Sequence, residues 1–167
     1  GSSFVDNIFE LQANPVWRNL TIGVNVIFPG KKSQEEFLDD FLLRFREKDA
    51  AGGLVQNEKG EYLCILHRDK WSFPKGGVEW REDVAEAAIR EVKEETGLKK
   101  VEILNKLPST YHTFRRGRKW VLKVTHWYRM IASSEEDLVP QLDESITEAI
   151  WVSSQDWIGK DWNTYPL

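Results

Sequence analysis

The sequence predicts a mixed α/β domain, and three observations predict it. One long amphipathic helix is bracketed by Asp83 and Gly97. Runs with a period of two, the mark of half-buried strands, lie on both sides of it. A short second helix, opening at Ser153, follows the last of these runs. Pattern alone leaves an α+β arrangement of the same elements open.

Taken in order, residues 21–28 alternate Ile22, Val24, Val26 and Phe28 as a strand, and Pro29 to Lys32 read as a turn. Ser33 and Glu36 form a capping box ahead of the apolar helical stripe Phe37, Leu38, Phe41, Leu42 and Phe45. Residues 1–48 are therefore expected to be a strand-and-helix extension, beginning with the cloning remnant Gly1-Ser2-Ser3. It would pack against the main domain, residues 49–167, or form a homodimer contact. In the main domain, residues 51–55 and 61–67 read as strands around a turn at residues 57–60. Pro74, Gly76 and Gly77 then predict a tight loop whose backbone approaches a ligand or metal closely. Beyond the helix, residues 101–107, 109–114, 120–130 and 146–152 read as extended, with a basic turn at residues 115–119.

The central helix carries the chemistry. Ala85, Ala88, Ile89 and Val92 make its core stripe, while Glu91, Glu94 and Glu95 stack on a neighbouring face. Like charges at this spacing destabilise a helix, so something must compensate them. Arg90 can pair with Glu94 or Glu86, and hard divalent cations suit the remaining carboxylates. Asp83 with Glu86 opens the helix and Gly97 ends it.

Gly76, Glu82, Arg90-Glu91-Val92, Glu94-Glu95 and Gly97-Leu98 stand at the spacing of the Nudix box, which this stretch resembles at all nine defined positions. Through its flanks the resemblance extends over Ala50 to Trp162. It implies a three-layer α/β/α sandwich around a mixed sheet. It also implies hydrolysis of a pyrophosphate linkage in a nucleoside diphosphate derivative by water attack on phosphorus. Glu91, Glu94 and Glu95 match the acids that hold Mg²⁺ or Mn²⁺, the Gly76 carbonyl joins them, and Arg90 matches the arginine that orients a glutamate. Glu82 is expected to support the loop, and Glu144 to complete the catalytic set, with Asp143 and Glu148 as rivals. The flanks around Trp71 to Gly76 and Thr125 to Met130 resemble the dinucleoside polyphosphate hydrolase branch, with diphosphoinositol polyphosphate and RNA pyrophosphohydrolases as neighbours.

Lys75, Arg68, Lys123 and Arg116 are the expected phosphate contacts, and Tyr111 the expected base contact, beside His112 and Phe114. The partner would be a small phosphorylated molecule. A net charge of −4 argues against bulk nucleic-acid binding, leaving an RNA 5′ end as the exception. No run of residues approaches the ~20 apolar positions that a membrane span requires. The single cysteine, Cys64, excludes an intrachain disulfide and fits a reducing, cytoplasmic setting. Two readings compete with hydrolysis of a polyphosphorylated nucleotide. One is a non-catalytic Nudix-fold nucleotide sensor, against which the complete acidic box counts. The other is hydrolysis of ADP-ribose, a nucleotide sugar or a nucleoside triphosphate. Isomerase chemistry would need a further pocket nucleophile, and Cys64 sits mid-strand.

Overall fold

The computed structural model describes residues 45–117, 119–159 and 162–164. The strand expected at residues 21–28 and the helix expected after Ser33 lie outside them, except that Phe45 is the first residue of a strand.

Two long strands form the spine. β1 (Phe45–Gln56) runs parallel to β7 (Lys119–Ile131), with Phe45 opposite Trp120 and Gln56 opposite Ile131 in unbroken register. β2 (Tyr62–His67) follows β1 through a turn in which the Asn57 side chain accepts from the amides of Lys59 and Glu61. That turn joins the strands only at Gln56 and Tyr62, so β1 and β2 diverge. β3 (Lys70–Ser72) folds back on β2 through Arg68 and Asp69, both at positive φ (49° and 61°).

The edge of β1 beyond β2 is filled by β4 (Lys75–Gly77), which pairs Ala50 with Gly77, Ala51 with Gly76 and Gly52 with Lys75. This corrects the expected tight loop. Gly76 and Gly77 are extended because β1 offers them a ladder, and the turn comes later, from Val78 to Asp83. β5 (Glu102–Lys106) and β6 (Thr110–Arg116) both pair antiparallel with β7, and β8 (Ile146–Val152) with β2. The sheet order is thus β3-β2-β1-β7-β5, with β4, β6 and β8 attached to β1, β7 and β2.

Helix α1 (Val84–Thr96) starts where Asp83 Oδ1 accepts from the amides of Ala85 and Glu86. It ends at Gly97, whose φ of 78° only glycine adopts without strain, and whose amide donates to the Lys93 carbonyl. It covers the face of the sheet that carries Ala51, Val55, Tyr128 and Met130, which form one core with Ala87, Ala88, Val92 and Leu98. Ala85 and Ile89, expected as members of the core stripe, are only partly buried against that core. The buried side instead includes Ala87, Glu91 and Glu95, so the helix is rolled toward its acids.

On the opposite face, helix α2 (Ser154–Gly159) stacks Trp157 on Phe73, which meets Trp127 edge-on. Trp127 stands opposite Gly52 and alternates away from the α1 side, so the two helices sandwich the sheet. This is the α/β/α architecture that the Nudix resemblance implies. Among the described residues no helix is long and apolar enough to cross a membrane.

Cys64 is completely buried in β2, and burial pushes its thiol up to about 12. The native protein should therefore resist an aromatic disulfide reagent at pH 8 and react at once in denaturant. Rapid native labelling would contradict this packing.

Candidate active site

The site is built where β4, the following loop and α1 meet. Arg90 projects from α1 toward the loop and spends every guanidinium donor on the loop, β4 and its own helix. Nε and one terminal nitrogen grip the two Glu82 oxygens (2.7 and 2.9 Å), and that same terminal nitrogen also donates to the Gly77 carbonyl (2.9 Å). The other donates to Glu91 (2.8 Å) and Glu94 (2.9 Å). Glu86, the alternative partner, receives none of these bonds. The Arg90 contacts, with the Glu79 amide donating to the same Glu82 carboxylate, hold Glu82 down at about 2. A fork of this geometry matches three carboxylates and a carbonyl at once, which an ammonium cannot do.

Glu91 and Glu95 are only 6% and 4% exposed. Burial raises both carboxyl groups above their usual range: Glu91 against the pull of Arg90, and Glu95 to about 7 against Lys75. Glu144 adds a further raising effect on each, which brings this exposed carboxylate within electrostatic reach of the pair. Its backbone sits in a single 3-10 turn (Leu142–Glu144) that ends at Ser145 with φ 63°. Glu95 also accepts from the Lys75 amide (2.6 Å), tying the last turn of α1 to the first residue of β4. Gly76 lies flat against the Glu91 carboxylate, and a Cβ there would collide with it.

The cations are arranged as a second group. Lys123 feels Lys75 and Lys48 as neighbouring like charges and Glu95 and Glu91 as opposite ones. Burial is the largest effect, and the net result holds its ammonium down at about 8. Lys48 is its direct cross-strand partner. His67 shares this field: burial first, then Lys75 and Arg68, lower its imidazole, while Glu144 opposes them.

Among the residues expected from sequence, the structure therefore brings together Gly76, Glu91, Glu95, Arg90, Glu94, Glu144, Lys75 and Lys123. Arg68 sits at the β2–β3 turn, where its amide bonds the Ser145 carbonyl and its charge reaches His67. Arg116 is exposed at the far end of the β6–β7 hairpin, opposite Lys119. Tyr111 is opposite Val124 and so faces away from Lys123, whereas His112 is opposite Lys123 itself. The period of two separates adjacent aromatics onto different faces.

Lys48 and His67 are the members that sequence reasoning missed. The sequence reading ends the extension at Lys48, although Arg46, Lys48 and Ala50 alternate with Glu47 and Asp49 as a strand would.

The donor set fits a hard divalent cation. It consists of carboxylate oxygens, two of them nearly buried and costly to ionise, beside a backbone stretch that glycine leaves open. As they stand, Glu91 and Glu94 share one nitrogen of Arg90, and among the described residues no three acidic, histidine or cysteine side chains converge on one metal-sized point.

The raised Glu95 has a stability consequence with a definite sign. Its folded value of about 7 exceeds the ordinary 4.5, so the folded state holds the extra proton between them. Stability of the metal-free protein therefore falls as pH rises from about 4.5 to about 7 and stays reduced above that. Glu95→Gln should raise the metal-free melting temperature at pH 8, by up to roughly 3 kcal/mol in stability, with the gain vanishing near pH 4.5. A destabilised variant at pH 8 would contradict the assignment.

Comparison with known proteins gives the chain a family. The family model described as the NUDIX domain matches residues 46–165. An RNA pyrophosphohydrolase of Nitratiruptor sp. is 48% identical over 70 residues, covering 39% of this chain and 45% of that protein. The mRNA decapping complex subunit 2 of Schizosaccharomyces pombe is 34% identical over 77 residues, covering 43% of this chain and 10% of that protein. The chain thus spans less than half the length of either relative. The solved structure of a C. elegans Ap4A hydrolase binary complex superposes with a TM-score of 0.52 at 24% identity, covering 67% of this chain and 84% of that one, a likeness of fold. With the family model spanning most of its length and the box residues gathered around Arg90, the chain belongs to the Nudix family of hydrolases.

Proposed function

We propose that the domain hydrolyses a pyrophosphate linkage in a polyphosphorylated nucleotide, either a dinucleoside polyphosphate or the phosphorylated 5′ end of an RNA. The observation that carries this is the nearness of two charge groups: the Lys75 amide bonds the buried Glu95 carboxylate, and the buried Glu91 and Glu95 both act electrostatically on Lys123. The names of the RNA pyrophosphohydrolase and decapping relatives support the RNA end. The flanking motifs support the dinucleoside polyphosphate.

Glu91, Glu94 and Glu95, with the Gly76 carbonyl and Glu144, would hold Mg²⁺ or Mn²⁺. When bound, such an ion neutralises phosphate oxygens and lowers the pKa of a coordinated water. The chain's own groups do the rest. Lys75 and Lys123 balance the charge of the phosphate chain and hold it in line. Water oxygen attacks one phosphorus, the bridging P–O bond breaks, and the carboxylate cluster takes the released proton. Arg90 does not touch the phosphates in this scheme; it fixes the directions of Glu91 and Glu94 and closes the loop around Glu82.

A Mg²⁺-dependent turnover panel tests the reading. It would contain diadenosine polyphosphates, 5′-triphosphorylated RNA, a diphosphoinositol polyphosphate, ADP-ribose, nucleotide sugars and nucleoside triphosphates. Turnover should be strongest on one of the first two and fall by at least about a hundredfold in Glu94→Gln. Silence on every member, with tight binding of one, would replace hydrolysis with a ligand-sensing role.

A further inference from the structure

The chain carries a net charge of −4, yet on one face of its sheet the part formed by β1, β6 and β7 holds no acid; Glu102 and Glu148 share that face only on β5 and β8. The unbroken β1–β7 register places Arg46 beside Val121 and Lys48 beside Lys123. The equally regular β6–β7 register adds Arg116 beside Lys119, Phe114 beside Val121 and His112 beside Lys123. Residues paired across strands point to one side, so Arg46, Lys48, Arg116, Lys119 and Lys123 share a face. Glu47 and Asp49, by alternation, point to the other.

Arg46, Lys48, Arg116 and Lys119 are exposed. Among the described residues the ion pairs are made by Arg90 and His126, and none by these five cations. His112 and Phe114 lie among them with their rings stacked, at 6.1 Å between centroids and 26° between planes. Like charges side by side are destabilising, so a face of this kind is built for an extended anion. The cations form a path that leads from Lys123, within the field of Glu91 and Glu95, out to the tip of the β6–β7 hairpin. A dinucleotide has no phosphates for the far end of such a path. Basic residues that track a backbone, with aromatic rings between them, are the chemistry of single-stranded nucleic-acid binding.

We propose that this face carries a single-stranded nucleic-acid chain whose phosphorylated 5′ end enters the carboxylate site. Only the fate of that end rests on the pyrophosphate hydrolase reading; the track stands on the face itself. The bases stack on His112 and Phe114 while the phosphates follow Lys48, Lys119 and Arg46.

The test uses the full chain and 3′-labelled oligomers of about twelve nucleotides, within the span a small single-strand site covers. Fluorescence anisotropy would compare 5′-triphosphate RNA, 5′-hydroxyl RNA and DNA of the same sequence on wild type and on the Arg46→Glu, Lys119→Glu double variant. The 5′-hydroxyl RNA should bind wild type in a salt-dependent manner, and the double variant should bind at least roughly tenfold more weakly. Turnover of a diadenosine polyphosphate should be unchanged in that variant, which also shows that it folds. His112→Ala should weaken RNA binding several-fold with no change of backbone charge. Parallel losses on DNA support the same track without selection by the sugar.

Equal RNA affinity of wild type and double variant would overturn the proposal, as would anionic vesicles binding wild type where RNA does not. Intact RNA binding with no pyrophosphate turnover on any substrate would remove the hydrolase reading and leave the track standing.

Discussion

Everything around the site depends on one guanidinium. Arg90 bonds the loop through Glu82 and the Gly77 carbonyl, and the helix through Glu91 and Glu94. Its five donors are all engaged, so the loop from Val78 to Asp83 cannot shift without breaking a charge-assisted bond. Removing a partner of a part-buried ion network leaves a charge without compensation, which is the costly direction. The same contacts fix where Glu91 and Glu94 lie, while Glu95 is fixed by the Lys75 amide. The geometry of the acids is thus set from the strand and the loop as much as from the helix that carries them.

The fold turns this local arrangement into a boundary between two fields. β4 occupies the edge that β2 leaves on β1, and it brings Lys75 and Gly76 next to α1. Carboxylates gather on the helix side of that edge, and lysines gather on the other face around Lys123. An overall negative charge conceals this division, because charge counts carry no information about faces.

Much of this was legible in the sequence, for identifiable reasons. The helix from Val84 to Thr96, its Asp83 cap and its Gly97 stop follow from periodicity and capping chemistry, and the structure keeps them. β7 is recognisable because its alternation runs the length of the strand. The nine-position box spacing identified the acids and Arg90 together. What could not be read depended on pairing between distant segments. Gly76 and Gly77 are strand residues only because β1 lies beside them, and Lys48 joins the site only through its register with Lys123. The bidentate hold of Arg90 on Glu82, eight residues away, required a folded loop that no helical spacing describes. Tyr111 and His112 are adjacent in sequence and opposite in space, a distinction fixed by the β6–β7 register.

The central claim is that Arg90, anchored by Glu82, holds the carboxylates ready for a divalent cation without consuming them. Mn²⁺ binding, measured by the loss of its free paramagnetic signal on wild type and on Glu82→Gln, tests this most directly. Glu82 is not itself a proposed ligand. Without its anchor, Arg90 is free to compete for Glu91 and Glu94, so the account predicts Mn²⁺ affinity about tenfold or more weaker in the variant. Equal affinity in the two proteins, or no Mn²⁺ binding by wild type, would contradict it.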